Sequence, residues 1–200
     1  MNLSSLNTSA PASGSLNLTK AQSLDLTKAA PSLTRAILGG GWDVVANGPS
    51  ADLDIAAFLL NANGKVSNTA TDVVYFGQMN QQGIRLEGDN RTGVGDGDDE
   101  RIQIELNNIR NDVHKIVFVI TIYDAKNKKQ TFGMIKNAYV RLLDVDQNER
   151  EICRYNLTEK FATETAVVVA ELQRNGNGWN FNAIGEGVIG DLNDILSRYQ

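Results

Sequence analysis

Residues 115–123, Lys115-Ile-Val-Phe-Val-Ile-Thr-Ile-Tyr123, decide the fold. Ile116, Phe118 and Ile120 fall on one parity, Val117 and Val119 on the other, so the stretch is apolar on both sides. Successive side chains of a strand point to opposite faces, and this pattern predicts a central strand covered on both of them. Working outward, Arg101-Ile-Gln-Ile-Glu-Leu106 alternates instead, with Ile102, Ile104 and Leu106 inward. Leu53–Leu60 is β-compatible and stops at the turn cluster Asn61-Ala-Asn-Gly64. Further strands are predicted at 138–145, 151–155, 166–173 and 179–184, the last two separated by the turn Asn175-Gly-Asn-Gly178. Only the C-terminus reads as helix: Ile189, Leu192, Ile195, Leu196 and Tyr199 share a face, with Asp191 as N-cap. Many short strands punctuated by Gly and Asn predict a mostly β fold, an antiparallel β-sandwich with short helices, one of them C-terminal.

The N-terminal residues 1–14, MNLSSLNTSAPASG, are small, polar and uncharged, and are expected to form a mobile extension. Residues 15–200 are expected to form a single domain, since 200 residues at 42% apolar suffice for one core. A near-repeat opens it, Ser15-Leu-Asn-Leu-Thr-Lys20 and Ser23-Leu-Asp-Leu-Thr-Lys28, each unit alternating like a strand. The spacing admits a hairpin, although Ala21-Gln22 is poor turn chemistry. Gly39-Gly40-Gly41 reads as a loop. The lone Cys153 excludes an internal disulfide, suits a reducing compartment and reads as a buried filler; the sole histidine, His114, reads as structural. There is no basic-then-apolar leader and no run of about 20 apolar residues, so no membrane span is expected. The acidic balance argues against nucleic acid as a partner. A soluble cytoplasmic protein is expected.

The chemistry is concentrated in residues 88–100, Gly88-Asp-Asn-Arg-Thr-Gly-Val-Gly-Asp-Gly-Asp-Asp-Glu100. From Glu87 to Glu100 six acids face one base, Arg91, and the window carries −5, equal to the charge of the whole chain. Each ionised neighbour raises the cost of the next, so a cation is needed to offset the crowding. Clustered hard oxygens on a Gly-permitted turn suit calcium, and suit magnesium less because it demands a tight octahedron. An EF-hand beginning at Asp89 would place Glu100 at its twelfth position. It would also put Arg91 and Gly93 at ligand positions, and Val94 where the obligatory glycine belongs. A phosphate-cradling loop is disfavoured by the same carboxylates. Asp52 and Asp54 lie two apart at a strand start and project to one side, with Leu53 opposite, and Asp43 follows Trp42. Should that strand start and the loop meet, the candidate metal set is Asp43, Asp52, Asp54, Asp89, Asn90, Asp96, Asp98, Asp99 and Glu100. Two calcium ions, at about six to eight oxygens each, could then be held.

Gly41-Trp-Asp43, Asp52-Leu-Asp54 with Phe58-Leu-Leu60, and the acidic segment closely resemble the tellurium-resistance TerD-type stress proteins of bacteria. The likeness continues through 115–124, Phe132-Gly133, Asn137-Ala-Tyr-Val-Arg141 and Thr163-Glu-Thr-Ala166, and covers residues 15–199. It implies a cytoplasmic calcium-binding β-sandwich, with the family's Asp-x-Asp at Asp52 and Asp54 and its acidic loop at Asp89, Asn90, Asp96, Asp98, Asp99 and Glu100. The expected function is a non-enzymatic stress-response module, in which calcium orders the loop for protein partners, a membrane-associated stress complex among them. A tellurium oxyanion would be repelled by the loop. The alternatives are a calcium-dependent phospholipid-binding module, for which the loop offers only Arg91 and Val94, and a metal-dependent hydrolase, with Glu164 as a conjectural base.

Overall fold

A computed structural model describes residues 4–5, 14–44, 51–88, 97–157 and 161–200. In chain order the elements are β1 (Ser4–Ser5), β2 (Leu16–Leu18), β3 (Gln22–Asp25), α1 (Leu26–Ala29), β4 (Arg35–Val44) and β5 (Leu53–Leu60). Then come α2 (Thr69–Asp72), β6 (Val73–Val74), β7 (Asn80–Gln81), β8 (Ile84–Leu86), β9 (Glu100–Glu105) and β10 (Lys115–Ile122). The last group is α3 (Ala125–Lys128), β11 (Ile135–Asp144), β12 (Arg150–Asn156), β13 (Ala166–Asn175), β14 (Gly178–Val188) and α4 (Leu192–Leu196).

The strands form two seven-stranded sheets, ordered β1-β3-β14-β13-β10-β5-β6 and β2-β12-β11-β4-β9-β8-β7. Among the described residues every strand pairing is antiparallel except β1 with β3 and β2 with β12. The mostly β sandwich expected from the sequence is present. Strand β10 lies mid-sheet, and its two parities enter two different cores. Ile116, Phe118 and Ile120 join the core that also holds Leu53 and Ile55 of the first sheet and Ile102 and Ile104 of the second. Val117 and Val119 face outward beneath Ile195, together with Phe58 and Leu60. Helix α4 is far too short to be stable alone. It is held by burial of Ile195 (worth about 1.5–3 kcal/mol) and by a capping box between Asp191 and Asp194.

Three expectations are corrected. Gly39-Gly40-Gly41 is not a loop but the interior of β4. A side chain at Gly39 would overlap the Asp98 carboxylate, one at Gly40 would meet the Ile55 side chain, and one at Gly41 would meet the Tyr139 ring. The triplet serves close approach rather than turning. Next, the near-repeat makes no hairpin, since β2 and β3 join different sheets. The chain crosses at Ala21, whose φ of 64° lies in the left-handed region, and Leu18 and Leu24 both reach the shared core. Finally, Ile189 does not share the helix face; α4 begins only at Leu192, and Ile189 is 74% exposed. Within the expected N-terminal extension, Ser4–Ser5 pair with Gln22 and Ser23.

A Gly39→Ala variant is expected to lose about 1–3 kcal/mol in urea denaturation, because the added methyl must displace Asp98. In an unobstructed strand the same change is stabilising by roughly 0.5–1 kcal/mol. A neutral or stabilised variant would refute the close-approach account.

Candidate metal centre at one end of the sandwich

Both flanks of the acidic segment are anchored to the same strand end. Glu87 N–H donates to the Arg101 carbonyl at 2.9 Å, and Asp99 N–H donates to the Gly40 carbonyl at 2.8 Å. Glu100 then opens β9 opposite Gly40 of β4. Three candidate ligands, Asp89, Asn90 and Asp96, lie outside the described residues.

Glu100 has the inward parity of Ile102 and is only 2% exposed. Its Oε2 accepts the Ile55 N–H at 2.6 Å, across the gap between the sheets. Strand β6 pairs with β5 only at Ala57 and Phe58, so this carboxylate takes a backbone donor beyond the last ladder contact. The Asp-Leu-Asp strand start and the end of the acidic segment therefore meet. Leu53 points into the core and Asp54, 7% exposed, points to the outer face of its sheet, as the alternation predicts. Asp52 is fixed through its backbone, its carbonyl accepting the Tyr123 N–H at 2.8 Å.

The consecutive acids Asp98, Asp99 and Glu100 have three different environments. Asp98 lies over Gly39 on the outer face of the second sheet, where Oδ1 accepts from Arg141 Nε at 2.7 Å and from the Tyr139 hydroxyl at 3.1 Å. Asp99 Oδ2 accepts the Trp42 N–H at 2.9 Å. Asp43 Oδ2 accepts from Asn137 Nδ2 at 2.7 Å. Burial lifts the Asp99 carboxyl above its ordinary range; the Trp42 N–H opposes this, and the charges of Asp43 and Asp98 reinforce it. The Tyr139 phenol is pushed up to about 12 by burial and then by the Asp98 charge. Burial disfavours the Arg141 charge, but Asp98 outweighs it and the guanidinium is held more firmly protonated.

The donor set is chemically suited to a hard divalent cation: all oxygen, several of them charged, with like charges close enough to disturb one another. Among the described residues, no three Asp, Glu, His or Cys side chains close around a single point. The sequence reading missed Asn137, Tyr139, Arg141 and the Trp42 amide. The first three alternate along β11, and that polar period of two was the available signal.

Beside Asp54 runs a groove of about 1680 Å³. Three of the exposed large apolar side chains line it, Phe76, Tyr123 and Ile189, with Phe76 and Tyr123 edge to face at 5.8 Å. Cys153 is fully buried, and burial pushes its thiol up, away from reactivity.

Removing Arg141 strands a carboxylate whose side chain is 4% exposed. Arg141→Met is expected to lower stability by about 2–3 kcal/mol, less than the loss for a fully buried pair because the arginine is 25% exposed. Asp98→Asn added to it should restore part of that loss. Denaturant melts of both variants check this, and a double variant less stable than the single one would contradict it.

The TerD domain profile matches residues 15–199. The chain is 42% identical over 187 residues to the tellurium resistance protein TerD of Serratia marcescens, covering 92% of this chain and 97% of the relative. It is 40% identical over 188 residues to general stress protein 16U of Bacillus subtilis, with 92% and 96% covered. A crystal structure of a Streptomyces coelicolor homologue of the telluride resistance protein superposes with a TM-score of 0.67 at 26% identity, covering 82% of this chain and 96% of that one. With Gly39 under Asp98 and the Glu100 bridge built on residues inside the matched span, the chain belongs to the TerD-domain family of tellurium-resistance and stress-response proteins.

Proposed function

We propose that this chain is a non-enzymatic calcium-binding module, in which the ion orders residues 88–100 for recognition of a protein partner. The observation that supports it most is the Glu100 to Ile55 hydrogen bond, which draws the end of the acidic segment against the strand carrying Asp54. Asp52, Asp99 and Glu100, which do not close around one point by themselves, would contribute to the ions together with Asp89, Asn90 and Asp96, while Asp54, on the outer face of its sheet, would act there by its charge. Asp43 would add charge from the edge, and Asp98 would divide its charge between the ion and Arg141. Two ions suit this number of oxygens. The calcium would supply positive charge where like charges crowd, and would fix the segment's backbone. The aromatic groove beside Asp54 offers the adjoining surface on which a partner would rest. The non-enzymatic reading is supported by the positions of the most reactive side chains. His114 lies at the far end of β10, its N–H on the Leu60 carbonyl, and Cys153 is in the core.

Calorimetric titration of chelator-stripped protein is expected to give saturable calcium binding and clearly weaker magnesium binding, with a higher melting temperature in calcium. Asp52→Ala should weaken calcium binding by roughly tenfold or more, because a charged ligand is lost from outside the segment. Cys153→Ala should not change it. Wild-type affinity in Asp52→Ala would remove the strand from the site, and absence of calcium heat would remove the reading altogether. Hydrogen exchange after chelation should rise in 88–100 while β10 and β13 stay protected.

A further inference from the structure

We infer a second site at the opposite end of the sandwich, built around Arg174, that takes a small oxyanion group. Strand β9 carries Glu100 at one end and leads at its other end to Leu106 and Asn107, about 20 Å away at roughly 3.3 Å per residue. A cavity of about 460 Å³ opens there between α1, the 106–111 turn and the β13–β14 hairpin. In a protein of net charge −5, the only charged residue among the described residues lining this cavity is an arginine.

The guanidinium is positioned before any ligand arrives. Nε donates to the Val113 carbonyl at 2.6 Å, and Nη2 donates to the carbonyls of Ile109 and Arg110 at 3.2 and 3.1 Å. Its plane lies over Trp179, 4.4 Å from the ring centroid. No carboxylate among the described residues pairs with it, and Nη1 makes no hydrogen bond to them. Of the acids around the cavity, Asp25 is engaged by Lys28 at 3.3 Å, Asp146, hydrogen-bonded to Thr34, by Arg35 at 2.8 Å and Asp112 by Arg110 at 3.1 Å, while Glu105, next to Leu106, accepts from Asn108 Nδ2. The side chains of Ser32, Asn107, Asn111 and Asn177 supply further neutral donors around the rim. A fixed, half-buried guanidinium whose Nη1 keeps two N–H donors for a ligand, ringed by amide and hydroxyl donors, matches a phosphate or carboxylate group. Carbonyl contacts alone explain why Arg174 is ordered. They do not explain the absence of a counter-charge, which the ligand would supply. The site does not depend on the calcium reading, since it shares no residue with the acidic end.

Trp179 reports on this cavity, and Trp42→Phe leaves it as the sole indole. Inorganic phosphate and acetate are titrated separately into that full-length variant in chelator, in about 150 mM sodium chloride so that diffuse attraction is screened. The expected result is saturable quenching with a midpoint below roughly 1 mM for one of the two, and the tighter of them identifies the group. Arg174→Lys keeps the charge but loses the planar fork, and should weaken binding at least about tenfold. Should Arg174→Lys fail to fold, Asn111→Ala with Asn177→Ala decides, with a loss of about threefold or more expected. Midpoints above about 1 mM for both anions, or unchanged affinity in the variant that decides, would overturn the proposal.

Discussion

The two sheets are pinned at one end by a buried carboxylate. A carboxyl at 2% exposure is costly to bury without hydrogen bonds, and Glu100 Oε2 accepts the Ile55 N–H across the gap between the sheets. Fixing Glu100 fixes much else. Its pairing with Gly40 sets the β4–β9 register, which puts Gly39 beneath Asp98, while the β4–β11 pairing puts Gly41 beneath Tyr139. That register directs the acids, sending Asp98 outward to Arg141, Asp99 to the Trp42 amide and Glu100 inward. One residue of slip would exchange the inner and outer faces of β9 and bring Arg101 into the core.

What the sequence made legible follows from which signals are local. The two-faced strand 115–122 and the alternation of Ile102 and Ile104 are periodicities of the chain itself, and both are found as read. The acidic segment and the Asp52–Asp54 pair are local as well; Glu100 reaches the Ile55 backbone of the strand that the pair opens, a contact that spacing alone could not give. Glycines at 39–41 misled because glycine marks both turns and close approach. The two are distinguished only by what lies opposite, here Asp98, Ile55 and Tyr139, all distant in sequence. Likewise nothing local tells that the two halves of the near-repeat part company into different sheets. Strands β6, β7 and β8, of two or three residues, are too short to display any period. The partners that hold the acids are also non-local, with Arg141 lying 43 residues from Asp98.

The molecule thus carries its charge unevenly along the strand direction. One end gathers carboxylates that repel one another, and the other offers a guanidinium that no described carboxylate pairs with. The apolar core between them is continuous. Binding events at the two ends would therefore be coupled only through a close-packed interior, which resists small displacements.

The sheets taper at their margins. Inner strands run up to 11 residues, whereas the four outermost, β1, β6, β2 and β7, have two, two, three and two. A long bare margin is a template on which another chain can add a strand and continue the ladder. Among the described residues these outermost strands are each too short to template a long ladder by themselves. Such blunting disfavours strand addition at the outermost strands. It leaves loops and faces, rather than borders, as the surfaces through which this fold can associate.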